Sequence, residues 1–316
     1  MNPSHHDQVI LGLNHEDATQ RQMALIELSE LLNDDSLEPL LGSLVDEDAV
    51  VRRLAIGLLE ELGDARAVPG IIDCLADADH EVREAAHAAL REFRGEGVAA
   101  PLIRAMSHAD PEVRRGVIVG LRELKDASAV EPLIEALGDE SAAVRREAVV
   151  TLGYLRHPRA VEPLRLRLKD GDEQVRRLAV GALGFFNGPA LLDDFVAALG
   201  DAAWRVRVEA AIVLGRSALS GAIPALLGGL SDPYWQVQKE VIAALGRLSA
   251  RAAAPQLLGF LASESADLRR AAIYALAQLG ERDVVPALRA LQNDSDVEVR
   301  KALAFALQVL GEERPN

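Results

Sequence analysis

Residues 139–155 read DESAAVRREAVVTLGYL, and residues 160–168 just beyond them read AVEPLRLRL. In the first stretch Val144, Ala148, Leu152 and Leu155 follow one another at intervals of four, four and three, which places them on one apolar stripe of a helix. Ser141 stands three residues ahead of that stripe, where its hydroxyl can accept a backbone N–H bond at the helix start. In the second stretch Pro163 falls in the first turn of a shorter helix, where an amide hydrogen would have no intrahelical partner. The two stretches together predict a pair of antiparallel helices joined by a short turn.

The pair recurs along the whole chain. Val51, Val82, Val113, Val144, Val175, Val206, Val237, Leu268 and Val299 are spaced by 31 residues, with Gln20 as a weaker first copy. The residue after each is arginine except at Gln238. Eight residues past each comes a leucine, from Leu28 and Leu59 through to Leu276 and Leu307. Asp48, Asp79, Asp110, Asp172, Ser265 and Asp296 occupy the capping place of Ser141, and Pro69, Pro132, Pro224 and Pro286 that of Pro163. A single helix pair cannot bury its apolar face, but pairs stacked in register can. The expected fold is all-α, an α-solenoid (an α–α superhelix) of about ten stacked helix pairs, forming one domain over residues 1–316 with a short polar tail at 312–316.

Composition narrows the function. Hydrophobic residues make up 49% of the chain and aromatics only 3%, so Ala, Leu and Val must fill the core. A net charge of −15 repels phosphate backbones, which disfavours nucleic acid as a partner. One cysteine, Cys74, excludes an internal disulfide framework and a cysteine-rich metal site. No basic-then-apolar leader opens the chain and no apolar run reaches membrane-spanning length, so a cytoplasmic protein without membrane contact is expected.

The pattern D-x-D-x-x-V-R-x-x-A-x-x-A-L-G-x-L followed by A-V-x-P-L-x-x-A-L resembles the HEAT-like repeats of phycobilisome lyases and of many bacterial scaffold proteins. The resemblance implies the solenoid fold and, for function, either a binding scaffold or a bilin lyase or tetrapyrrole chaperone. No lyase-specific residue can be transferred, since the matching positions are those that hold repeats together. It also implies an inter-repeat Asp–Arg ladder built from the framework arginines and the aspartates that recur six residues upstream of them, Asp46, Asp77, Asp139, Asp170, Asp201, Asp232 and Asp294. Deoxyhypusine hydroxylase, a di-iron enzyme with similar repeats, uses four His-Glu pairs at equivalent positions. Here only His15-Glu16 and His80-Glu81 occur, at different offsets.

Two rows stand out from the framework. Arg53, Arg115, Arg146, Arg177, Lys239, Arg270 and Lys301 share the place two residues past the framework position, expected to face the concave side. Most have an acidic residue close by on the same helix, as Glu112 precedes Arg115 by three. The aromatics crowd into the second half. Trp204 and Trp235, the only tryptophans, sit one period apart where the caps of two helices are replaced by Ala203 and Tyr234. With Tyr154, Phe185, Tyr274 and Phe305 they follow a spacing of four, which places them on one helix face. Two readings of the tryptophans stay open: recognition on that face, or stacking between adjacent repeats.

No HExxH motif, phosphate loop or Ser-His-Asp set appears among the residues, and His15 and His108 fall where other copies carry the ladder aspartate. The expectation is a non-enzymatic protein-binding scaffold that needs no cofactor, bilin entering only under the lyase reading. Its partner is expected to be another protein, gripped as an extended or helical segment of some acidic character. The candidate binding residues are Trp204, Trp235, Tyr234, Tyr154, Phe185, Arg146, Arg177, Arg205, Arg216, Lys239 and Tyr274, with no catalytic or metal-ligating residue.

Overall fold

The computed structural model describes residues 4–186 and 188–311, so the tail expected at 312–316 lies outside the described residues. All regular elements among the described residues are helical, and the chain is an α-solenoid. It divides into two compact units, Met1–Pro163 and Leu164–Asn316. In the first unit the long helices are Ala18–Ser29, Ala49–Leu62, His80–Leu90, Pro111–Leu124 and Ala142–Leu155; in the second they are Glu173–Leu183, Trp204–Arg216, Trp235–Arg247, Ala266–Leu279 and Val297–Val309. Within each unit every long helix packs on the next, and a shorter helix of five to eight residues lies against each long helix except Glu173–Leu183.

The recurring leucines explain the stacking. Leu28, Leu59, Leu121, Leu152, Leu183, Leu214, Leu245 and Leu276 have no exposed surface at all, and the framework valines are equally enclosed. Burying one such side chain stabilises the fold by roughly 1.5–3 kcal/mol, and each leucine is enclosed only because a neighbouring pair covers it. Small residues let the long helices of the second unit approach closely. A Cβ on Gly215 would lie 2.8 Å from Ala244 Cα, and one on Gly246 would lie 2.8 Å from Ala275 Cα.

The framework arginines do build a ladder between repeats. Arg114 donates from Nε and Nη2 to both carboxylate oxygens of Asp139, 25 residues downstream, at 2.7 and 2.8 Å. Its Nη1 donates to the backbone carbonyls of His108 and Ala109 in its own helix-start turn. Thus the residue six upstream supplies a carbonyl, and the carboxylate comes from the following repeat. The same geometry joins Arg21 to Asp46, Arg52 to Asp77, Arg176 to Asp201, Arg207 to Asp232 and Arg269 to Asp294. Each aspartate also accepts the N–H two residues on, as Asp139 does from Ser141. Burial on its own raises the pKa of Asp77, Asp139, Asp201 and Asp232, but the hydrogen bonds from their arginines overrule it and hold all four carboxyls below the ordinary value of 3.8.

The ladder is broken once in each unit. Arg83 reaches the carbonyls of Asp77 and Ala78, yet His108 stands where its aspartate belongs. The imidazole Nδ1 of His108 accepts the N–H of Asp110 and so imitates only the turn-forming half of the aspartate's role. In the second unit Gln238 replaces the arginine, donating to the Asp232 carbonyl alone. Capping departs from expectation at one point. Asp48, Asp79, Asp110, Asp172, Ser265 and Asp296 accept backbone N–H bonds, whereas the Ser141 side chain makes no capping bond.

His108→Asp completes the rung to a guanidinium already held in place, and is expected to stabilise the chain by about 1.5–3 kcal/mol, the worth of hydrogen bonds to a charged group. Chemical denaturation checks this, and an unchanged midpoint contradicts it. The ladder also sets an acid limit. Asp77, Asp139, Asp201, Asp232 and Asp294 titrate lower folded than unfolded, so their contribution is complete above the unfolded carboxylate value near 3.8 and drains away as pH falls through the lower folded values. Stability measured from pH 6 down to 2 should hold to about pH 4 and then decline, and Asp139→Asn should flatten that decline.

Candidate functional site

The predicted site residues fall in both units. Arg146 and Tyr154 belong to the first. Arg146 Nε donates to the Ala142 carbonyl at 3.1 Å. The Tyr154 ring is exposed and lies 5.3 Å from the ammonium of Lys125, a residue held left-handed at φ 54° where its helix ends. The other nine residues lie in the second unit, on its long helices except for Phe185, just past the end of Glu173–Leu183, and Tyr234, just before Trp235–Arg247.

The two tryptophans turn out not to be equivalent. Trp204 opens the helix Trp204–Arg216 and is half-buried, its ring stacked on Tyr234 of the next repeat at 5.8 Å and 14°. Arg205 covers the indole at 4.7 Å and reaches Glu173 at 3.7 Å, while the ladder arginine Arg207 stands 5.4 Å from the Tyr234 ring. This joint is aromatic because the capping oxygens are missing: neither Ala203 nor Tyr234 provides a side-chain cap. Trp235 opens the next helix, but the residue matching Tyr234 one repeat on is Ser265, too small to stack. Trp235 therefore remains 43% exposed. Trp204 thus stacks between repeats, as one of the two readings expected, and Trp235 faces solvent.

The single aromatic face expected from the spacing resolves into separate contacts. Tyr274 meets Phe305 edge-on at 5.6 Å, and Arg216 lies 5.8 Å from the Phe185 ring. Between the helices Trp235–Arg247 and Ala266–Leu279 runs a groove of about 270 Å³, lined by Lys239, Glu240, Ala243, Arg247, Asp267, Arg270, Tyr274 and Gln278 among others. Lys239 and Tyr274 were anticipated there; Arg247 and Gln278 were not. The signal for both was available, since they continue the row that runs through Phe185 and Arg216.

Electrostatics change the weight of the basic stripe. Arg53, Arg115, Arg177, Lys239, Arg270 and Lys301 each lie within 4.0 Å of a carboxylate, with Glu81, Glu112, Glu209, Glu240, Asp267 and Glu298 respectively. Glu209 is half-buried over Gly181, and its carboxyl titrates above the ordinary value because burial outweighs the pull of Arg177 and Arg216. The stripe is therefore a set of local pairs. Arg216 and Arg247, one repeat apart in the last turns of their helices, form no ion pair among the described residues.

No group of three His, Cys, Asp or Glu among the described residues is arranged to hold a metal. Cys74 is buried, and burial pushes its thiol up to about 11. The His87 imidazole packs against Gly116, and burial lowers its basicity. No described helix is long and apolar enough to cross a membrane.

Comparison with known proteins bears on the fold. An engineered protein of known structure matches with a TM-score of 0.56 at 19% identity, covering 98% of this chain and 99% of its own. The Escherichia coli protein YibA matches at 0.54 and 19% identity, over 95% of this chain and all of its own. Kap95p, solved in a study of its binding to RanGDP, matches at 0.66 and 14% identity, with 98% of this chain spanning 50% of that one. No curated protein matches in sequence. The profile of HEAT repeats matches residues 7–91, 98–173, 161–234 and 223–308, and the chain belongs to the HEAT-repeat family.

Proposed function

We propose that this chain is a non-enzymatic scaffold that binds another protein through the long-helix face of its second unit. One observation carries the reading. Tyr154, Phe185, Tyr234, Trp235, Tyr274 and Phe305 each leave between 40% and 52% of their surface exposed, in a chain whose aromatics amount to only 3%. A core short of large side chains has the most to gain from burying them, and buried aromatics are also what anchors most protein interfaces. Five of the six lie in the second unit, where the caps of two successive helices are also given up. Kap95p supplies a precedent for a protein partner on this fold. The reading requires no cofactor, and the partner segment is of acidic character, matching the cations that flank the aromatics.

Trp235→Ala with Tyr274→Ala should abolish capture of the partner from native lysate while moving the melting temperature by no more than about 2 °C, since neither ring is enclosed. Trp204→Ala should instead destabilise by roughly 0.5–1.5 kcal/mol through loss of the stack on Tyr234. Identical captured proteins with wild type and the double variant overturn the assignment of the face. A red-shifted band on mixing with bilin would favour the lyase-like alternative.

A further inference from the structure

Arg216 and Arg247 occupy equivalent places in the last turns of consecutive long helices and lean the same way. The Arg216 guanidinium lies 5.8 Å from the Phe185 ring of the preceding repeat. Arg247 reaches back one repeat as well: its Nη1 would lie 3.2 Å from a Cβ on Gly215, the residue adjoining Arg216. Because both lean by one repeat, their separation stays near the distance between stacked helices, about 8–10 Å. The negative end of a helix dipole accounts for a cation in a last turn. It does not account for two exposed guanidiniums in succession, the first beside the Phe185 ring and the second lining the groove that Tyr274 also lines, neither within ion-pair distance of a carboxylate among the described residues.

We propose that Arg216 and Arg247 form a two-point carboxylate receptor for an extended acidic segment of a partner protein whose acidic residues recur every third position. The inference rests on the scaffold reading above and specifies what the scaffold recognises. An extended polyproline-type chain rises about 3.1 Å per residue with three residues per turn, so residues i and i+3 point the same way roughly 9 Å apart. That step matches the spacing of stacked helices. Each guanidinium then takes one carboxylate in a paired hydrogen-bond geometry. Apolar residues between the acids lie against Phe185 and Tyr274. A phosphate polymer fits less well, because Glu209, Glu240 and Asp267 stand along the same face and the chain as a whole carries −15.

The test uses a fluorescein-labelled peptide of four Asp-Pro-Pro repeats, titrated with the full chain and followed by anisotropy at low salt. Saturable binding is expected, weakened about tenfold or more by Arg216→Gln and again by Arg247→Gln, each step worth one lost charge-assisted contact. Circular dichroism and melting should be unchanged, and a peptide with Asn for Asp should not bind. A peptide of Asp-Pro-Pro-Pro repeats should bind several-fold more weakly than the three-residue register. Equal affinity for the two registers, or variants within twofold of wild type, overturns the receptor. Equal or tighter binding of a single-stranded oligonucleotide overturns the choice of a protein partner. Failure here leaves the scaffold reading distinguishable: partner capture that depends on Trp235 and Tyr274 but survives the double arginine substitution retains the face and removes only the carboxylate receptor.

Discussion

Each framework arginine is bonded in two directions, and the rest of the molecule depends on that. Arg207 donates to the carbonyls of Asp201 and Ala202 in its own turn and, through the other edge of its guanidinium, to Asp232 of the next repeat. Apolar burial does not care about a slip of one residue between similar alanine- and leucine-lined surfaces, because it is non-directional. A bidentate pair does, since the planar fork accepts a carboxylate in one orientation. Side chains of this pair are only about a tenth exposed, so desolvation takes back much of the attraction, and a well-packed apolar replacement of both partners would cost little. The pair's contribution is register. It aligns equivalent positions on successive long helices, and any surface row, basic or aromatic, exists only because they are aligned.

The breaks in this arrangement are instructive because they differ in kind. His108 keeps the turn and loses the charge, so Arg83 retains its two carbonyls and lacks only the cross-repeat rung. At Gln238 the cation itself is gone, and two helix starts in the same region have exchanged polar caps for Ala203 and Tyr234. Missing caps cost about 1 kcal/mol each. The stack of Trp204 on Tyr234 offsets part of that loss at one joint. No such offset exists at Trp235, which packs on no other ring among the described residues and stays exposed. A local rule broken without a compensating contact is where a role outside folding is expected.

How far the sequence could be read follows from what each feature depends on. The stripe of leucines and the caps depend on neighbours in the chain, and periodicity reveals them; every leucine of the row is buried. The ladder's pairing depends on a neighbour 25 residues away, and the recurrence of Asp and Arg marks the rungs while only the stacked repeats show that each arginine takes the carboxylate of the following copy and the carbonyl of its own. The difference between Trp204 and Trp235 depends on the residue thirty positions on, Tyr234 in one case and Ser265 in the other. That contrast was legible, but only once adjacent repeats were known to touch there. Whether a cation is paired depends on side-chain reach, which spacing does not encode. The conspicuous basic stripe proved to be neutralised by close carboxylates, and the free guanidiniums lay in a row noticed for its aromatics.

Charge distribution ties these observations together. In a chain of net charge −15, a basic row in which Arg53, Arg115, Arg177, Lys239, Arg270 and Lys301 each have a carboxylate within 4.0 Å projects little field. Screening over about 8 Å at physiological salt then confines what remains to direct contact. Two unpaired guanidiniums on the same face act differently. Glu209 and Glu240 stand about two turns ahead of them on the same helices, which repels a continuous polyanion but leaves room for isolated acids that reach each guanidinium from above. An acidic surface with spaced cationic points therefore selects by the spacing of charge and not by its total, and that spacing is inherited from the ladder that holds the helices in step.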